Sequence, residues 1–341
     1  GGRSTGGRDQ AVDRAAACRS PEMNGLFDDL IGQPLAVDLL GAALRNRRLA
    51  PAYLFAGPEG VGRRLAAMLF LEGVLGEGQP CERQRRRLEQ RNHPDLMWVE
   101  PTYQHQGRLL SRFEAEEAGI SRRTPPQLRL EQIRGVSRFL ARQPVEAARG
   151  MVIIEAAEAM AESAANALLK TLEEPGHGLL ILLCAAPERL LSTIRSRCQL
   201  IRFLRLEPSA VEAVLKRGDA LQQDQPELLA MAAGSPGALL AHRRIWATLP
   251  EELIQRLQCL PSEPIHALSL ARDLSENLDG EQQLWLINWW QQHLWNGSQR
   301  AEHLQRLELL RRQLLSFVQP RLAWEVALLD LMEGQAPFRG S

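Results

Sequence analysis

"AYLFAGPEGVGRRLA", residues 52–66, passes from an apolar stretch through a loop punctuated by glycine into a segment with helical spacing. Gly57 and Gly62, five apart with Gly60 between them, follow a strand and precede a helix, which is one half of a phosphate-binding P-loop. The backbone N–H groups of such a loop cradle phosphate oxygens. Its other half is Lys followed by Ser or Thr, because the ammonium reaches the β and γ phosphates and the hydroxyl holds Mg²⁺. Arg63 and Arg64 stand in those two places. Lys170 and Lys216 are the only lysines, so 39 of the 41 basic residues are Arg. That bias accounts for Arg63 without any change of function, but it leaves the loss of a hydroxyl at Arg64 unexplained.

Reading outward from the loop, near-continuous apolar runs at "DLMWVE", "MVIIEA", "LLILLCA" and "LIRF" alternate with helical segments. Runs of this kind belong to a parallel sheet covered on both faces. After about Leu206 the strand pattern stops, and the rest reads as helices broken at Pro208, Pro226, "GSPG" (234–237), Pro250, Pro261, Pro264, Gly280 and Pro320. The expected fold is α/β plus all-α. It divides into a disordered tail over 1–22, an α/β unit over 23–206 with a degenerate P-loop, a small helical lid over 207–243 and a helical domain over 244–341. Met23, directly after the tail, is either an ordinary residue or the true translation start. The first ordered helix is expected around Leu35, Leu39, Leu40, Ala43 and Leu44.

Composition limits what the chain can do. Over 341 residues, 45% of them hydrophobic, Lys+Arg and Asp+Glu are both 41, so net charge alone draws the chain to neither nucleic acid nor an anionic membrane. The five cysteines (18, 81, 184, 198, 259) are odd in number and contain no C-x-x-C, which points away from a disulfide framework and from a zinc ribbon. A reducing cytoplasm is the expected location. The longest apolar run, "LLILLCAA", ends at Pro187, well short of the roughly 20 residues of a membrane span.

Other parts of a nucleotide site are altered too. In P-loop enzymes the strand corresponding to "MVIIEA" ends in an acid that helps hold Mg²⁺. Glu155 fills that place, and Ala156 follows where a water-polarising acid is expected. The next strand ends in Cys184, Ala185 and Ala186, with no polar sensor of the γ-phosphate, and "AAGSPGALLA" in the lid offers Pro236 and Gly237 but no Arg. Several losses from the same machinery point to a silent site.

The segments "SAANALLKTLEEP", "LLCAAPERLLSTIRSRCQ", "AGSPGALL" and "QPRLAWEVALLDLM", in this order and spacing, resemble the delta-prime family of bacterial DNA polymerase III clamp-loader subunits, to which tau/gamma is closely related. The resemblance spans about Leu26 to Met332. It implies an AAA+ domain, a lid and a C-terminal collar in a ring with tau/gamma and delta subunits that opens a sliding clamp and places it on primed DNA. Within that family the delta-prime subunit is a stator with a degenerate P-loop. The resemblance therefore implies no ATP binding or hydrolysis of the chain's own. The alternative is an active tau/gamma-like ATPase, with Arg63 acting for Lys. The resemblance also implies that Arg197, in the triplet Ser196-Arg197-Cys198, serves as an arginine finger in a neighbour's ATP site. Read locally, Arg197 is an Arg at a helix end that pairs with carbonyls, and Cys198 is a small buried residue. On "ANALLKTLEEPG", Leu168, Leu169 and Leu172 form a packing face. The resemblance implies further that the exposed side, with Asn166, Lys170 and Glu173, faces a neighbouring subunit or the DNA-lined interior.

One departure from the family is plain. Members of that family commonly insert a four-cysteine zinc module after the first helix, but here "QPCERQRRRLEQRNHPDL" has only Cys81 and His93, two ligands for a site that needs four. No zinc or other metal is expected. The arginines at 83, 85, 86, 87 and 91 read as a solvated helix face, with phosphate contact as the second reading. Residues 102–130 read as a mobile loop without a motif.

Overall fold

The computed structural model describes residues 25–118, 125–316 and 318–333. The readings of the tail and of Met23 lie outside them. The strands are β1 (Ala52–Ala56), β2 (Leu96–Val99), β3 (Tyr103–His105), β4 (Arg108–Leu110), β5 (Met151–Ile154), β6 (Leu179–Cys184) and β7 (Gln199–Arg202). Helices of the α/β part are α1 (Pro34–Arg45), α2 (Arg63–Leu75), α3 (Glu82–Glu89), α4 (Arg112–Glu117), α5 (Leu130–Ala141), α6 (Glu162–Glu173) and α7 (Ser192–Arg195). Then come α8 (Pro208–Arg217), α9 (Pro226–Ala232), α10 (Pro236–Thr248), α11 (Glu251–Gln258), α12 (Pro264–Asn277), α13 (Gly280–Ser298), α14 (Ala301–Leu315) and α15 (Pro320–Glu333).

Five strands form one parallel sheet in the order β2-β5-β6-β1-β7. β1 is buried throughout because both faces are covered, and the two-residue period divides its side chains between two cores. Tyr53 and Phe55 pack with Phe70 and Phe203 on one side; Ala52, Leu54 and Ala56 pack with Val152, Ile154 and Leu168 on the other. The chain changes direction across the sheet at β1, and the crevice outside the strand ends at such a switch point is where α/β sheets hold ligands. The glycine loop leaves β1 there. The expected class, α/β with a parallel sheet followed by an all-α part, is the one observed among the described residues.

Three local expectations need correction. α1 forms, but its buried row is Ala36, Leu40 and Leu44, whereas Leu35 and Leu39 are 63% and 48% exposed. Positions four apart share a face, and the pair at 35 and 39 lies one residue off that row. Residues 102–130 are not a single loop: β3 and β4 form an antiparallel hairpin and α4 follows. Gln106 and Gly107 both have positive φ (47° and 80°), as a two-residue hairpin turn with the right twist requires. The base of the segment is closed by paired backbone bonds between Thr102 and Gln127 at 3.0 and 3.1 Å.

The third correction concerns the arginine run. Arg85 reaches the buried Glu72 (2.8 Å) and Asp29 (2.9 Å), Arg87 reaches Glu146 (2.6 Å), and Arg91 lies 3.5 Å from Glu100. Acids from other elements convert much of the run into structural ties. Glu72 also accepts the backbone N–H of Cys81 at 2.7 Å, so one buried carboxylate fastens the end of the 76–81 turn and the helix after it. Arg217 of α8 meets Asp29 from the other side at 2.5 Å.

The helical part has its own core. Trp289, Trp290 and Trp324 are fully buried, and Leu215, Leu228 and Leu239 of α8, α9 and α10 belong to the same cluster as Leu257, Leu274 and Leu328. Trp246 of α10 lies 5.2 Å from Trp289, and Trp285 Nε1 donates to His242 Nδ1 at 3.0 Å.

Removing one partner of a buried ion pair leaves the other charge stranded. Arg85→Ala is expected to destabilise the chain by on the order of 2–4 kcal/mol, measured by urea denaturation, and Arg86→Ala, whose partner Glu82 lies on the same exposed helix, by under about 0.5 kcal/mol.

Candidate functional site

Gly60 and Gly62 have φ of +75° and +102°, values that side chains rarely adopt, and they turn the chain so that α2 begins at Arg63 with no side-chain cap. A cavity of about 430 Å³ opens there, lined by Glu59, Gly60, Arg63, Arg64, Glu155 and Ala156 among others. The cradle is present in shape, but the lid sits on it. Ser235 Oγ donates to the Glu59 carbonyl at 2.6 Å and accepts the Ala238 N–H at 3.1 Å, while Gly237 N–H donates to the Gly60 carbonyl at 3.0 Å. A Cβ on Gly60 would stand 2.5 Å from Ser235 Oγ and 2.8 Å from the Gly237 Cα. The two glycines meet backbone to backbone. Leu206 N–H donates to the Gly234 carbonyl at 2.7 Å and ties the hinge behind them.

Among the described residues, Arg63 Nη1 is buried with no hydrogen-bond partner. Burial pushes its guanidinium pKa down, and the nearby carboxylates of Glu158 and Glu59 push it back up. Glu158 Oε1 accepts the Ala185 N–H at 3.1 Å, and its carboxylate lies against the Cys184 thiol. Burial, with Glu158 beside it, raises the Cys184 thiol to about 12. Thus Glu158 stands at the end of β6, where the sequence offers Cys184, Ala185 and Ala186.

Glu155 is heavily engaged. Its Oε1 accepts Trp98 Nε1–H at 2.6 Å and lies 3.6 Å from both Arg64 Nη1 and Arg91 Nη2. The same two guanidiniums lie 4.7 and 4.5 Å from the Trp98 ring centre. Ala156, directly after it, has φ +46°, a strained value of the kind found at active sites, without a side chain that could use it.

Arg197 lies elsewhere. Tyr53 pairs with Gln199 across the parallel strands β1 and β7, so the glycine loop follows one end of the sheet and Arg197 precedes the other. Its guanidinium is 36% exposed, donating from Nη2 to Glu173 Oε1 at 2.9 Å and from Nη1 to the Thr193 carbonyl at 3.0 Å. Ser196 Oγ donates to the same carbonyl at 3.1 Å, and burial raises the Cys198 thiol to about 12. On α6, Leu168 and Leu172 are buried and Leu169 half-buried, while Asn166, Lys170 and Glu173 face out. Asn166 and Lys170 border a groove of about 640 Å³ against α5, which adds Arg134 and Ser137. Cys81 and His93 hold no common partner: His93 Nδ1 accepts the Asp95 N–H at 3.1 Å. Among the described residues no three His, Cys, Asp or Glu gather as for a metal.

Trp98, Arg91 and Glu158 were missed from the sequence. Trp98 looks like any core aromatic in a strand, and its partners come from 34 residues before and 57 after it. Glu158 carries a weak local signal, one more acid three residues beyond Glu155.

Comparison with known proteins adds a family. The model described as "DNA polymerase III, delta subunit" matches residues 32–207, and that of "Cyanobacterial DNA polymerase III delta prime, C-terminal domain" matches 209–331. DNA polymerase III subunit delta' of Bacillus subtilis is 35% identical over 197 residues, covering 56% of this chain and 51% of the relative. Its counterpart from Pseudomonas aeruginosa is 36% identical over 203 residues, covering 55% and 54%. The chain thus spans about half the length of these curated relatives. A DNA polymerase III gamma subunit-related protein from Thermotoga maritima aligns with 86% of this chain and 98% of its own, at 17% identity and a TM-score of 0.49.

Gly60→Ala should lift the lid off the loop and cost about 1–3 kcal/mol, with faster proteolysis around 205–236. Gly176→Ala, where a Cβ meets nothing within 4 Å but the backbone is left-handed, should cost about 1–2 kcal/mol and leave proteolysis unchanged. At pH 8 a thiol of pKa about 12 is ionised in about one molecule in ten thousand. Iodoacetamide is therefore expected to modify the exposed Cys259 well before Cys184 or Cys198, read by peptide mass spectrometry.

Proposed function

Since the chain belongs to the DNA polymerase III delta-subunit family, we propose that it is a non-hydrolysing stator subunit of the replicative clamp loader. In this reading it works in the cytoplasm beside tau/gamma and delta subunits and helps them load a sliding clamp on primed DNA. It uses neither ATP hydrolysis of its own nor zinc. The observation that carries the reading is the lid on the cradle: Ser235 and Gly237 bond to Glu59 and Gly60 at the mouth of the phosphate cavity. Chemistry of the donor set supports it. Mg²⁺ takes oxygen ligands in a near-octahedral shell; Arg64 brings a positive charge in place of a hydroxyl, and Glu155 already accepts an N–H and faces two guanidiniums. The site fits a magnesium nucleotide poorly.

What remains for chemistry is Arg197. It is exposed, away from its own cradle, and held by one surface ion pair and one carbonyl. Exposed pairs are weak, about 0–1 kcal/mol, so a phosphate on a neighbouring subunit can draw the guanidinium off Glu173. In the helical domain, Leu322 and Val326, one turn apart on α15, are 51% and 41% exposed and offer a face to a collar.

In a reconstituted complex, Arg197→Ala should leave assembly intact and lower DNA-stimulated ATPase partially, since fingers in trans are worth roughly 10³–10⁵ in rate at the one site they serve in GTPases. Arg197→Lys should rescue incompletely, because an ammonium lacks the planar fork. Arg63→Ala should change turnover little. An inert Arg197→Ala or a crippling Arg63→Ala reverses the assignment. Val326→Asp should weaken co-purification with tau/gamma while circular dichroism stays native.

A further inference from the structure

Arg91 and Trp98 lie outside every nucleotide-binding motif of this chain, yet both converge on the carboxylate at the end of β5. Glu155 Oε1 accepts the Trp98 indole N–H at 2.6 Å and lies 3.6 Å from a guanidinium nitrogen of Arg64 and of Arg91. Arg91 also reaches Glu100 at 3.5 Å, and both guanidiniums lie within 5 Å of one indole ring, at 4.7 and 4.5 Å. The four charges cancel, two guanidiniums against two carboxylates, and the ring gives the cations an aromatic surface besides. The cluster is complete without a metal.

We infer that this cluster keeps divalent cations out of the cradle. The inference rests on the reading of the site as non-hydrolysing, and adds to it what enforces the silence. A Mg²⁺ or Mn²⁺ ion approaching Glu155 must displace an N–H donor from its oxygen and sit beside two positive charges, one of which is supplied from outside the P-loop. Restoring the loop alone therefore would not restore the metal. Each pair by itself is weak, because Arg64 and Arg91 are 53% and 35% exposed. Their joint hold on a single carboxylate oxygen, 24% exposed as a side chain, is what excludes the ion.

The test leaves the P-loop untouched. Full-length wild type, Arg91→Gln, Arg91→Gln/Trp98→Phe, and that double variant with Glu155→Gln added are titrated with Mn²⁺. Free ion is read by electron paramagnetic resonance and folding by circular dichroism. Removing one cation and one donor should tighten Mn²⁺ binding by at least about tenfold over wild type. Arg91→Gln alone should give part of the gain, and adding Glu155→Gln should remove it. If the double variant loses its native spectrum, Arg91→Gln decides the matter, with Arg91→Lys as its partner: Lys keeps the charge and should keep Mn²⁺ out. Unchanged Mn²⁺ affinity in natively folded variants overturns the inference, as does a gain that survives Glu155→Gln. Wild type that binds Mn²⁺ tightly without turning over ATP overturns the inference alone; wild type that hydrolyses ATP overturns the non-hydrolysing reading as well.

Discussion

Gly60 and Gly237 touch backbone to backbone, and much else in the molecule depends on that contact. A side chain on either would collide: a Cβ on Gly237 would stand 2.5 Å from the Gly60 Cα. The approach lets the first turn of α10 bond to the glycine loop through main-chain groups, so the lid is fastened directly to the α/β sheet. α10 also carries His242 and Trp246 into the tryptophan-rich core of the C-terminal helices. A single helix thus begins on the phosphate cradle and ends in the helical domain.

Arginine supplies the second theme. The chain has almost no lysine, and its guanidiniums act as planar connectors rather than point charges. Arg85 joins Glu72, Asp29 and the turn before α3; Arg243 joins Asp224 and the carbonyl of Ala220. A buried Glu72 with an arginine partner fastens the chain between α2 and α3. Arg64 follows the same habit, turning from the position of a metal-binding hydroxyl toward Glu155 and Trp98.

The sheet was legible in the sequence because a strand buried on both faces must be apolar along its length, and "AYLFA", "MVII" and "LLILLC" are. The glycine loop was legible for its spacing, and the helical remainder for its proline and glycine breaks. At the candidate site the altered positions, Arg63, Arg64, Glu155 and Ala156, could be read one by one. Which groups meet there could not. Trp98 joins Arg64, Arg91 and Glu155 only because β2 lies beside β5 and the turn after α3 brings Arg91 back, and no local pattern encodes that. The β3–β4 hairpin escaped because "YQHQGRLL" has no clean apolar alternation; only the positive φ at Gln106 and Gly107 shows the turn. Leu35 and Leu39 escaped because two adjacent leucine rows fit a helix equally well until one packs.

The claim that the nucleotide-binding shape is kept while its chemistry is silent is tested most directly by titrating the purified chain with a fluorescent ATP analogue, with and without Mg²⁺, followed by anisotropy. With the lid bonded to the loop and Glu155 already engaged, the account predicts no saturable binding under either condition. Saturable binding that strengthens when Mg²⁺ is added would contradict it.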